Sequence, residues 1–175
     1  AYNSAFAFND AVAFSTSNSP ITFASTFNSL VGIARNPSFT TGSGNITFTG
    51  NVGGVQPVGF TSIISTGTTT VTGTFVGASL STSGGTLVLN NNLTLSNALQ
   101  VSGASSALRL NNNILVTLTG SAIATFANTV DSFNSTPRDL LITGGSQIIF
   151  SGVVGGTFAL NNFALAPSTQ VQLLN

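Results

Sequence analysis

Apolar and polar residues alternate along this chain in short runs, with turn-forming residues between them. "AFAF" at Ala5 to Phe8, "AVAF" at Ala11 to Phe14, "NITFTG" from Asn45 and "TVTGTF" from Thr70 show the pattern in the first half. "TLVL" from Thr86, "ALRL" from Ala107 and "QIIFSG" from Gln147 continue it. Successive residues in such a run point to opposite sides, which is the two-residue period of a strand. Clusters of Gly, Asn, Ser and Pro separate the runs, so the strands are short and the turns frequent. Glu, Lys and Met, all good helix formers, are missing, while Thr, Val, Ile and Phe suit strands. The pattern predicts an all-β chain.

Two internal echoes give the strands an order. "LVLNNNLTL" (Leu87 to Leu95) returns 21 residues later as "LRLNNNILV" (Leu108 to Val116). A longer stretch, Ile21 to Gly54, returns as Ile123 to Gly156, so that Phe23 meets Phe126, Thr26 meets Thr129, Arg35 meets Arg138 and Phe48 meets Phe150. This second offset, 102 to 103 residues, is close to five times the first. Such arithmetic predicts a parallel β-helix, or β-solenoid, with coils of about 20 residues. Stacked coils lie about 4.8 Å apart, so like residues fall above one another. Asn90, Asn91 and Asn92 are then expected to form an amide ladder with Asn111, Asn112 and Asn113. Leu93 and Leu95 are expected under Ile114 and Val116, and the asparagines to supply left-handed corners. The alternative is a β-sandwich of hairpin-linked strand pairs.

The stretch "GNITFTGNVGGVQPVGFTSI" (Gly44 to Ile63) resembles the strand repeats of bacterial autotransporter and filamentous-haemagglutinin-like surface proteins. Those repeats read strand, then G-x-V-G-G, then x-P-L-x-x-L-x-I. Ile46, Phe48, Gly50, Val52, Gly53, Gly54, Pro57, Val58 and Ile63 fill the pattern here. The second copy, Ile148 to Leu165, lacks the Pro and has an extra residue before Phe163. The resemblance implies a right-handed coil, exported and displayed outside a bacterial cell. The phenylalanine-rich first residues depart from it.

Composition removes most chemistry. Of 175 residues only Arg35, Arg109, Arg138, Asp10, Asp131 and Asp139 carry formal charge, and the net charge is zero. Three scattered arginines cannot assemble a surface for nucleic acid or anionic lipid. No apolar run has the length of a membrane helix, and "AYNSAFAFND" lacks the basic start of a signal peptide. Without Cys or His there is no disulfide and no ordinary zinc site, and three Asp are too few for a calcium-binding solenoid. A glycosidase needs two carboxylates at a set separation, and Asp131 and Asp139 are separated by "SFNSTPR", which reads as a loop, with Asp139 beside Arg138 reading as a solvated turn pair. With no His, Lys or Cys there is no general base or activated nucleophile near neutral pH. The chain is therefore expected to be no enzyme and to take no cofactor or metal. Thr70, Thr72 and Thr74 share a strand face, but a threonine array of the ice-binding kind needs repetition on neighbouring coils, which is not expected here.

The two ends of the sequence read as apolar strands where a free-standing solenoid needs polar caps. Residues 1–17 read as a strand segment and 18–175 as the solenoid domain. Phe6, Phe8, Val12 and Phe14 fall on one face of the first segment, and Val171 and Leu173 on one face of "STQVQLLN". These residues are the expected self-association contacts, the partner being another copy joined head to tail. The function expected is a structural subunit of an extracellular bacterial fibre or surface layer. The alternative is an adhesin segment that binds a host or surface ligand.

Overall fold

A computed structural model describes residues 1–166 and 170–174. Ser168, Thr169 and Asn175 of the "STQVQLLN" segment lie outside the described residues. The described residues form strands and turns with no helix, and every strand pairing among them is parallel. A hairpin joins antiparallel neighbours, so hairpin-linked sandwich sheets do not occur here. Each parallel step is instead one turn of a β-solenoid of about seven coils.

The cross-section has three faces, each with its own inward column. On the first face Phe6, Phe27, Val52, Phe75, Leu93, Val116, Ile142 and Leu165 stack in order. The second face stacks Phe14, Phe39, Ile63, Thr82, Val101, Phe126, Phe150 and Leu173. Tyr2, Phe23, Phe48, Val71, Leu89, Leu110 and Ser132 form the third. The strands Phe6–Phe8 and Val12–Ser15 pair directly with Phe27–Ser29 and Pro37–Gly42, so residues of the first seventeen form the lowest level of the same solenoid.

Coil length is less uniform than the 21-residue echo suggests. One turn takes 18 residues between Phe75 and Leu93 but 26 between Val116 and Ile142. The triple-asparagine echo is therefore in register only on its first side, where Leu108 and Leu110 stack on Leu87 and Leu89. Beyond the corner Val116 stacks on Leu93 and Leu118 on Leu95, two residues later than expected. The inward apolar sites fix each strand: Ile114, itself buried, and Leu115 open the strand Ile114–Leu118 and pair upward with Leu140 and Leu141, while the pairing with the strand below begins only at Val116.

The long echo is also not five turns. Phe23 climbs four steps in its own column, through Phe48, Val71 and Leu89 to Leu110. Two faces further along the chain comes Phe126, which stacks with Val101 and Phe150 in the second column instead. The repeat thus advances four and two-thirds turns, and its second copy sits on different faces. Local detail survives the rotation. The Arg35 and Arg138 amides donate to Ser29 and Ser132 Oγ, both at 2.9 Å. Gly53 and Gly155 amides donate in the same way to Phe27 and Val130 carbonyls, both at 2.8 Å.

The core changes character along the axis. Its lower third is aromatic: Tyr2 on Phe23, Phe6 on Phe27, Phe14 on Phe39 and Phe23 on Phe48 are stacked pairs within 10° of parallel. Leu, Ile and Val fill the middle, and Phe126 stacks on Phe150 near the top. Thr82 breaks the apolar pattern, because it is buried in the second column with no partner for its hydroxyl. A buried unpaired hydroxyl costs on the order of 1–3 kcal/mol, so Thr82→Val should stabilise the protein by about 1 kcal/mol. A urea midpoint that fails to rise would contradict this.

Candidate functional site

Asparagine does most of the polar work at the corners, though seldom as a ladder. Asn111 Nδ2 donates to Asn90 Oδ1 at 2.7 Å, and Asn90 Nδ2 reaches Thr72 Oγ1 at 3.4 Å. Asn91 and Asn112 instead bond the next residue's amide and close their own turns. Asn92 and Asn113 accept the Leu115 and Asp139 amides from the coil above, at 2.9 and 3.0 Å. Asn36, Asn45 and Asn51 make the same upward bond to Phe60, Thr68 and Thr74. The common device is a side-chain carbonyl that satisfies a backbone donor one coil away, where the wider corner has left the ladder. None of these asparagines is left-handed. Positive φ among the described residues is confined to glycine, as at Gly53, where φ is 68° and a Cβ would run into the Val76 carbonyl. That contact gives a physical reason for the V-G-G element.

The charged residues are not all solvated. Asp131 lies in the strand Thr129–Ser132, fully buried, and not in the loop that follows. Arg109, one coil below in register, places Nη1 3.4 Å from Asp131 Oδ2. The Thr157 amide donates to Asp131 Oδ1 at 3.1 Å, and the Phe158 ring lies 5.6 Å from the Arg109 guanidinium carbon. The turn before Leu160 therefore covers Asp131, while the Arg109 side chain stays 22% exposed. Sequence reasoning missed this pair. The signal was present, since Arg109 and Asp131 are 22 residues apart, the length of one coil. Asp139 bonds Asn161 Nδ2 at 2.7 Å instead of pairing with its neighbour Arg138.

Among the described residues no three of His, Cys, Asp and Glu gather where a metal could be held. No helix among them is long and apolar enough to cross a membrane. The threonine array is more extended than expected: Thr22, Thr47 and Thr70 stack on three successive coils before Val88 ends the row.

The end faces are the most distinctive surfaces. At the lowest level Tyr2, Phe6 and Phe14 form a ring triad with centroids 5.5 to 5.6 Å apart. One side of the triad packs on Phe23, Phe27 and Phe39, and Tyr2 is 42% exposed. Val12 is half-buried beside it. Phe8 differs from the other expected contacts, being buried against Phe27 at 4.9 Å. At the top, Val171 and Leu173 continue the second face above Ile148 and Phe150 and remain 46% and 67% exposed. The structure thus brings Val12 and Phe14 to one end of a column and Val171 and Leu173 to the other end of the same column. A side groove of about 500 Å³ runs along the widened corner, lined by Asn92, Asn113, Leu115, Asp139, Leu141 and Phe163. In comparisons with known proteins the chain matches no protein-family model, no curated protein and no solved structure.

Proposed function

We propose that this chain is a structural subunit of an extracellular bacterial fibre or surface layer, and that copies associate end to end through open strand edges. The observation that carries the reading is the ring triad Tyr2, Phe6 and Phe14, three aromatic side chains presented on one flat end with backbone donors and acceptors beside them. An exposed strand edge is a template for another strand, and this one carries no Lys and no nearby charge except Asp10. The zero net charge leaves little electrostatic repulsion between copies. The surface-protein resemblance of Gly44 to Ile63 supports the extracellular setting.

Deleting residues 1–17 is a poor test, because it only uncovers the next aromatic level, Phe23, Phe27 and Phe39. Leu173→Lys is better, since that side chain is already 67% exposed and its loss costs the single copy little. Concentrated wild-type protein should sediment as long polymers and show fibres by electron microscopy. Leu173→Lys should sediment as a single copy with an unchanged β circular-dichroism spectrum. A wild-type chain that stays monomeric at high concentration would remove the reading.

The side groove favours a second reading, an adhesin segment that binds a surface ligand. Its asparagine side chains beside Leu115, Leu141 and Phe163 suit an uncharged, hydroxyl-rich chain. Such a protein would bind cells or matrix without polymerising.

A further inference from the structure

We infer that the groove on the first face takes a straight, uncharged polysaccharide, of the cellulose or mannan kind, lying parallel to the solenoid axis. The inference deepens the second reading above by naming the ligand class and the side chains that would meet it. On the outside of the first face three columns run side by side along the axis. Leu115 stacks under Leu141, and Leu141 under Ala164, which makes an apolar rail. Asn113 and Asp139 flank the rail on one side, two residues before Leu115 and Leu141. Thr117 and Thr143 flank it on the other, two residues after them, in line above Thr94. The residues that alternate with these columns, Ile114, Val116, Leu140 and Ile142, are buried, so the columns themselves face outward. Leu115, Thr117, Asp139, Leu141 and Thr143 each have a coil below and a coil above, so the strip stands wherever the solenoid begins or ends.

The chemistry of the strip selects its ligand. A sugar ring is apolar across its C–H faces and polar at its hydroxyl edges, which matches a leucine rail between two polar rows. The Asp139 amide donates to Asn113 Oδ1 at 3.0 Å and the Leu115 amide to Asn92 Oδ1 at 2.9 Å, so both side-chain amides are oriented before any ligand arrives. Groups already held in place lose less entropy on binding. Asp139 is the one charged residue among those lining the groove, with no Lys or Arg beside it, so an anionic polymer meets no counter-charge there. A peptide strand is disfavoured for a different reason. The strands Ile114–Leu118 and Arg138–Gly144 spend their backbone N–H and C=O groups on the coils below and above, so an added strand would find no ladder. Because the rail residues stack in register from coil to coil, they follow an extended sugar chain and not a helical one.

Calorimetric titration with cellohexaose and mannohexaose tests the ligand class, with maltohexaose as the helical control and an oligogalacturonate as the anionic one. The wild-type chain should bind one or both straight neutral oligomers and neither control. Leu141→Asn should weaken that binding by about tenfold or more, the effect of losing an apolar contact of leucine size, with an unchanged circular-dichroism spectrum. Ile64→Asn, an equally exposed change on the second face, should leave binding as it was. The side-chain amide resonance of Asn113 should shift on titration. Binding that Leu141→Asn does not weaken, or a preference for either control, would overturn the inference. A chain that adheres to cells or matrix but binds neither straight oligomer would overturn the ligand class and leave the second reading in place. One that binds neither oligomers nor cells would overturn both.

Discussion

Phe48→Ala should lower the stability of this protein by about 4 kcal/mol, the upper range for a buried aromatic truncated to a methyl. Phe48 is 1% exposed and stacks on Phe23 with centroids 5.4 Å apart. It also meets Phe27 and Phe39 edge-on, at 5.7 and 5.4 Å. The substitution removes the transfer energy of one ring and three aromatic contacts, each worth about 0.5–1.5 kcal/mol beyond area. The hole cannot collapse easily, because strands hydrogen-bonded on both sides hold the walls apart. Stability in a stacked repeat is a sum of neighbour terms, so the damage should also be local. Hydrogen exchange should show the levels from Tyr2 to Phe48 opening first, while those from Leu87 to Ile142 keep their protection. Phe60→Ala is the matched control, because Phe60 points outward, 53% exposed, and should cost under about 1 kcal/mol. Equal shifts in urea midpoint for the two variants would show that the aromatic interior does not hold the lower levels together.

The second large effect concerns the ion pair of Arg109 with buried Asp131. Asp131→Ala leaves Arg109 without its counter-charge and the Thr157 amide without its acceptor, and should cost about 3 kcal/mol. The repeat suggests its own rescue. Asn28 occupies the position that Asp131 holds in the second copy and accepts the Val55 amide, as Asp131 accepts that of Thr157. Beneath Asn28 lies Ala7 where Arg109 lies beneath Asp131. The chain thus contains both solutions for one corner, amide over methyl and carboxylate over guanidinium. Asp131→Asn alone should destabilise, and adding Arg109→Ala should cost less than the sum of the two single changes. A coupling of about 1–2 kcal/mol in that cycle is expected. Additive single changes would mean that the ion pair contributes nothing beyond its separate contacts.

Parallel coils were legible in the sequence because their cause is short-range. Alternation over four or five residues gives strands, and a repeated triplet at a spacing near one coil gives the stacking. Coil length was not legible, because residues are cheap to add where a strand starts: Ile114 and Leu115 pair only with the coil above, and the pairing with the coil below begins at Val116. The same freedom hid the Arg109–Asp131 pair, whose 22-residue spacing carries meaning only once the local coil is known. The amide ladder expected of the asparagines is present between Asn90 and Asn111, whereas Asn92 and Asn113 accept backbone amides instead. A one-dimensional echo cannot distinguish an amide facing another amide from an amide that bonds a backbone N–H one level up. Of the end contacts, Phe6, Val12, Phe14, Val171 and Leu173 are at least partly exposed, whereas Phe8 is enclosed by the turn of chain after it.

The long echo that returns on a different side has a consequence for how such a rod can lengthen. If a copied segment had to begin and end on the same side, only whole revolutions could be inserted. Here the sides are interchangeable enough that a segment can be reused after a fraction of a revolution. Surface loops carried by successive copies would then wind around the rod like the treads of a spiral stair.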